Sequence, residues 1–131
     1  MHFAYSHEFD IPLDALELAV LSPELAQVIV SKVENIESIE LVKHEVGDGT
    51  FLRVLQYQAN VSLPPFAKNY VTRDMLAWTE DSHYDMKAHT AKWSVVPKIK
   101  PEWQKYFRAS GTYVLSPSGE GKTTRIIEGD I

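Results

Sequence analysis

Residues Ile39 to Val61 read IELVKHEVGDGTFLRVLQYQANV, two strand-like runs joined by Gly47-Asp48-Gly49. Glycines around an Asp supply the positive φ angles that a tight connection between twisted strands needs, so the stretch is predicted to be a β-hairpin. In its second arm Phe51, Leu55, Tyr57, Ala59 and Val61 share one face and Gln56, Gln58 and Asn60 the other, with Arg53 among the apolar set. That alternation marks a sheet with one buried side.

Upstream, His2 to Phe9 alternates with the same period. Phe3, Tyr5, His7 and Phe9 point one way, and Ala4, Ser6 and Glu8 the other. Asp10 and Pro12 then start a short helix whose stripe is Ile11, Leu13, Leu16 and Val20, since Pro is tolerated where the N–H groups have no intrahelical acceptor. Ser22-Pro23-Glu24 is a second helix start: a hydroxyl cap, a first-turn Pro and an acid at the positive end of the dipole. Leu25, Val28, Ile29 and Val33 follow at helical spacing.

Downstream, Ser62-Leu63-Pro64-Pro65-Phe66 must leave the sheet, because consecutive prolines donate nothing to a ladder. Phe66 could be a lid or a membrane-touching tip, and packing against the core is the default expectation. Tyr70–Glu80 and Tyr84–Val96 read as another hairpin around Asp81-Ser82-His83. Tyr84, Met86 and Ala88 lie on one face but Ala91, Trp93 and Val95 on the other, which predicts a β-bulge near Ala88 to Thr90, the alternative being that each end is covered on a different side. After a turn at Pro97 to Pro101, Trp103, Phe107, Ala109, Gly111, Tyr113 and Leu115 alternate as the clearest strand pattern in the chain. Lys122 to Ile131 forms the last strand.

At 131 residues the chain is expected to form one domain, 1–131, with a real core. A net charge of -5 without a Lys/Arg run argues against a nucleic-acid surface, whose affinity would be mostly electrostatic. The absence of cysteine excludes disulfide and thiolate chemistry and fits a cytoplasmic location. Glu8, Asp10, Asp14 and Glu17 exclude a signal peptide over the first twenty residues, and no apolar run has the length of a membrane span.

Gly119-Glu120-Gly121-Lys122-Thr123 suggests a phosphate loop, but position 116 is Ser, and the β-branched residues that follow predict a strand where the motif needs a helix. A hairpin turn is the better reading. His2, His7, His44, His83 and His89 show no paired metal-ligand spacing, so no metal or cofactor is expected. Glu80 to Asp85 places acids, a hydroxyl and an imidazole close in sequence, but such neighbours splay, and a solvated tip is the simpler account. Polar groups on apolar faces carry more information: His7 with Tyr5, Arg53 with Tyr57, and Tyr113. A buried charge such as Arg53 is costly unless paired. If these faces line one cavity, they orient a ligand's polar end while aromatic rings hold its body. Otherwise they are strand-end side chains reaching water, or core tyrosines with ordinary partners.

The order strand, two short helices, six further strands resembles the helix-grip fold of the START-like (SRPBCC) superfamily, which includes birch-pollen-allergen-like proteins and polyketide cyclases. The opening Phe3-Ala4-Tyr5-Ser6-His7-Glu8-Phe9-Asp10-Ile11-Pro12 is similar to that superfamily's start, and Thr124-Arg125-Ile126-Ile127-Glu128-Gly129-Asp130-Ile131 to its last strand. The resemblance implies an α+β fold, a curved antiparallel sheet of about 6–7 strands over two short helices, in a bacterial family without an assigned function. The superfamily's long C-terminal helix has no counterpart before Ile131, which would leave an apolar sheet face uncovered; a homodimer is one remedy.

The expected function is non-enzymatic binding, or transport, of an apolar small molecule or lipid between sheet and helices. Tyr5, His7, Arg53, Tyr57, Trp78, Trp93 and Tyr113 are its candidate ligand-binding residues. The alternatives are a cyclase- or dehydratase-type enzyme using His7, Arg53 or a buried tyrosine as acid or base, and a protein-interaction module.

Overall fold

The computed structural model describes residues 1–131. Its elements run β1 (His2–Phe9), α1 (Leu13–Leu21), α2 (Leu25–Lys32), β2 (Ile36–Val46), β3 (Thr50–Ala59), a 3-10 helix (Arg73–Leu76), β4 (Ala77–Asp85), β5 (Thr90–Pro97), α3 (Pro101–Phe107), β6 (Ala109–Gly119) and β7 (Lys122–Asp130). All seven strands form one antiparallel sheet in the order β1-β7-β6-β5-β4-β3-β2. Every neighbour except β1–β7 is a consecutive strand. The first strand therefore joins the last, and the two helices it leads into lie across one face.

That inner face holds two apolar clusters. Leu16 of α1 packs on Phe51, Tyr84, Ala91 and Leu115, and Ala26 of α2 packs on Ile39 and Leu55. Thr123, fully buried, donates its hydroxyl to the Ile11 carbonyl at 2.9 Å and ties β7 to the entry of α1. In α2 the buried stripe is Ala26, Ile29 and Val30, one step round from the expected one; Val28 and Val33 face water. The Ser22 hydroxyl accepts from the Glu24 N–H at 3.2 Å, as a capping residue should, although regular helix begins only at Leu25.

The Ile39–Val61 reading holds with small changes of boundary. Gly49 has φ +73°, and the Gly47 N–H closes the turn on the Thr50 carbonyl. Gly119 to Lys122 is likewise a hairpin turn, with Gly121 at φ +69°, not a phosphate loop.

Four expectations need correction. The β4–β5 turn is Met86 to His89, not Asp81-Ser82-His83. Asp85 makes it: its carboxylate accepts from the Lys87 and Ala88 N–H groups at 2.9 and 3.2 Å, an Asx-type turn. Chain reversal there explains why Tyr84 and Ala91 pair on one face, so no bulge is needed at Ala88 to Thr90. The sheet's bulges lie instead at Ile36/Ser38, Leu41/Lys43 and Pro117/Gly119. The run from Trp103 is not strand throughout. Pro101 at the first turn starts α3, and Trp103 and Phe107, four apart, satisfy helical spacing as well as alternation. Finally, Phe66 does not pack; it is 75% exposed.

Candidate functional site

Register fixes what the inner face presents, because residues paired across antiparallel strands point the same way. One line across the sheet runs His44, Arg53, Ser82, Trp93, Gly111, Gly129, Phe3. The next runs Val46, Phe51, Tyr84, Ala91, Tyr113, Ile127, Tyr5, and beyond it Leu115, Arg125 and His7 stand abreast. On the other side Tyr57 pairs with Trp78, their rings stacked at 5.1 Å and 8°. All seven residues singled out from the sequence thus share one face. Arg53 and Trp93 lie in one line and Tyr5 and Tyr113 in the next, while Tyr57 and Trp78 form a pair of their own and His7 sits beside Arg125.

Two glycines shape this floor. A Cβ on Gly129 would lie 2.6 Å from Cζ2 of Trp93, and one on Gly111 would lie 1.9 Å from the Glu128 carbonyl oxygen. The Trp93 indole therefore rests directly on the backbone of β7, with the Phe3 ring 6.0 Å away. No helix covers this corner as α1 covers the Leu16 cluster. Tyr5 there is 61% exposed and His7 also faces solvent, whereas Phe51 and Tyr84 under α1 are 3% exposed.

The polar groups on the face are unusual. Arg53 is 8% exposed; its Nη1 donates to the Val20 carbonyl at the end of α1, at 2.6 Å, and its Nε has no hydrogen-bond partner in the protein. The Nε1 of Trp93 and the Nε of Arg125 are also buried without partners. The Arg125 guanidinium stands 5.7 Å from the centre of the Tyr113 ring. Neither guanidinium takes part in an ion pair. Burial pushes the Tyr113 phenol's pKa up, and the positive charges of Arg53 and Arg125 oppose that shift. Burial likewise raises that of Tyr57, helped by the neighbouring Glu80 carboxylate.

A second cluster escaped the sequence reading. Oε2 of Glu17, on α1, lies 2.6 Å from the Tyr84 hydroxyl and 2.6 Å from Nδ1 of His89. The hydroxyl donates to the carboxylate, and burial followed by that hydrogen bond raises the Tyr84 pKa. His89 sits at φ +53° in the β4–β5 turn and opens on a recess of about 320 Å³ that Asp14, Gly119 and Lys122 also line. Residues 17 and 89 are too far apart in sequence for any local pattern to join them. Arg125, by contrast, was legible: Thr123, Arg125, Ile127 and Gly129 alternate inward along β7.

Sheet order, helix placement and register together define a helix-grip fold. The chain belongs to the family described as "Protein of unknown function (DUF2505)", whose model matches residues 4–131. A search of curated proteins finds no match. Among solved structures the chain is similar to the ZhuI aromatase/cyclase from Streptomyces sp. R1128, with 14% identity and a TM-score of 0.62 over 99% of this chain and 66% of that one. It is similar also to norcoclaurine synthase from Thalictrum flavum, with 13% identity and a TM-score of 0.65 over 98% and 67%. A third match is the major latex-like protein 151 from Panax ginseng, at 13% and 0.54 over 99% and 78%. The chain thus spans about two thirds of the length of the first two. At such identities the likeness is one of fold. No helix is long and apolar enough to cross a membrane.

Proposed function

We propose that the inner face of the sheet binds an apolar small molecule or lipid without transforming it, with Tyr5, His7, Arg53, Tyr57, Trp78, Trp93 and Tyr113 among the residues that touch it. The observation that supports this most is a set of three buried donors, Arg53 Nε, Trp93 Nε1 and Arg125 Nε, left unpartnered on a face that they share with aromatic and aliphatic groups and with His44, Glu80 and Ser82. A buried donor without an acceptor costs about 1–3 kcal/mol, more when charged, so a ligand that brings an oxygen to it regains that free energy. The rings of Phe3, Tyr5, Trp78 and Trp93 offer flat apolar area for the rest of the ligand. One protein of similar fold, norcoclaurine synthase from Thalictrum flavum, has been seen in complex with two small aromatic molecules that carry polar groups, dopamine and hydroxybenzaldehyde.

The test is titration with a neutral naphthylamine probe, together with native mass spectrometry of protein purified from its own host. Saturable probe binding, with an acceptor-bearing competitor whose affinity falls about tenfold or more in Arg53→Met while that of its hydrocarbon analogue does not, supports the reading. Absence of both probe binding and co-purifying apolar mass overturns it.

A cyclase- or dehydratase-type enzyme is the second reading, favoured by the carboxylate, phenol and imidazole gathered at Glu17, Tyr84 and His89. Turnover of a bound ligand that Glu17→Gln abolishes, with binding intact, would select it over simple carriage.

A further inference from the structure

The short helix α3 is mounted inside out. Its polar Gln104 faces the protein, where its amide donates to the Pro97 and Ile99 carbonyls at 3.4 and 3.2 Å. Trp103, Tyr106 and Phe107, at the i, i+3 and i+4 positions of one helix face, are each more than half exposed. A helix of a folded protein ordinarily buries its apolar stripe, so this arrangement requires a reason. Trp103 and Phe107 border a groove of about 920 Å³ whose opposite wall is the 3-10 helix with Met75. The loop leading into that wall carries Phe66 and Tyr70, the latter also strongly exposed.

Charge around the helix is equally one-sided. Residues 97–108 hold Lys98, Lys100, Lys105 and Arg108 against one acid, Glu102, in a chain whose net charge is -5. Only Lys98 of the four has an acidic partner, Asp74 at 4.0 Å, and the Lys105 ammonium stands over the Tyr106 ring at 5.0 Å. Tryptophan and tyrosine favour the level of lipid headgroups, and lysines beside them are attracted to anionic lipid. An apolar protein partner would account for the rings but not for this local excess of cations, whereas an anionic bilayer accounts for both.

We infer that the tip formed by α3 and the facing 3-10 helix docks on the surface of a bilayer containing anionic lipid, inserting Trp103 and Phe107 at headgroup depth while the surrounding lysines meet the lipid charge. The inference does not depend on what the inner face of the sheet binds.

Sedimentation of the full chain with vesicles of phosphatidylcholine alone, or of phosphatidylcholine mixed with phosphatidylglycerol, tests it. Binding is expected to the mixed vesicles and to weaken as salt is raised. Lys100→Glu with Lys105→Glu should lower the partition coefficient by about 5-fold or more for each lysine. Trp103→Ser with Phe107→Ser should abolish binding, with far-UV circular dichroism unchanged because both side chains are more than half exposed. No binding to mixed vesicles, equal binding to both kinds, or undiminished binding by either variant overturns the inference. So does a dimer in solution that Trp103→Ser with Phe107→Ser converts to monomer, since the face would then belong to a second copy of the chain.

Discussion

Two regions of the inner face are built from the same kinds of residue and have opposite surroundings. Where α1 crosses the sheet, Leu16 closes over Phe51, Tyr84, Ala91 and Leu115, and Glu17 locks the contact through Tyr84 and His89. Toward β7 and β1, Trp93, Phe3 and Tyr5 lie on a floor of glycine with no helix above. Aromatic alternation alone does not distinguish a core from a binding surface; the presence of a covering helix does. The covered region contributes stability by removing apolar area from water. The uncovered one leaves the rings of Phe3, Tyr5 and Trp93 with no helix above them.

The sharpest way to break this comparison is at the floor. Gly111→Ala places a Cβ against the backbone carbonyl of Glu128, where no side chain can yield, and a β6–β7 separation is the only relief. The variant should lose about 3 kcal/mol or more, or fail to fold, in urea denaturation. Gly129→Ala meets Trp93 as well as the Ser110 carbonyl, so a smaller loss combined with a changed tryptophan spectrum would sharpen the account of how the indole is held.

Truncation of matched side chains separates the two regions directly. Leu16→Ala should cost about 2–5 kcal/mol. Tyr5→Ala, at an exposed position of the same face, should stay within about 0.5 kcal/mol while weakening probe binding. Equal stability losses at both positions would mean that the open region is core after all.

The smallest effect is one of pH. Burial holds the phenols of Tyr57, Tyr84 and Tyr113 neutral, their folded pKa values raised above the value of about 10 for the unfolded chain. Above that pH the unfolded chain sheds protons that the folded chain keeps. Stability is therefore full below pH about 10 and falls as the pH rises beyond it. Tyr84→Phe should lower stability at neutral pH, through the lost bond to Glu17, and make the alkaline decline shallower. An unchanged slope in denaturation midpoint against pH would remove Tyr84 from this account.

How much of this was legible differs from element to element. The hairpin at Gly47 to Thr50 and the turn at Gly119 to Lys122 were legible because positive φ at Gly49 and Gly121 is a property of the residue itself. The turn after Asp85 was not, because several local polar groups compete to form one, and the winner is chosen by which register buries Ser82 and Tyr84 together. Trp103 to Phe107 was misread as strand because residues four apart satisfy both periods, and only the first-turn Pro101 favoured helix. In the site, alternation could place Tyr5, Arg53 and Tyr113 on apolar faces. It could not say that those faces are one face.

From the sequence alone came the first and last hairpins, the two early helices and the alternation that sets Tyr5, Arg53 and Tyr113 on apolar faces, since these follow from backbone preference and a period of two or 3.6. The tertiary structure decided what those faces converge on. The closing of β7 on β1, the reach of Glu17 to His89 and the solvation of the α3 rings depend on contacts between residues distant in the chain, and no local energy term encodes such contacts.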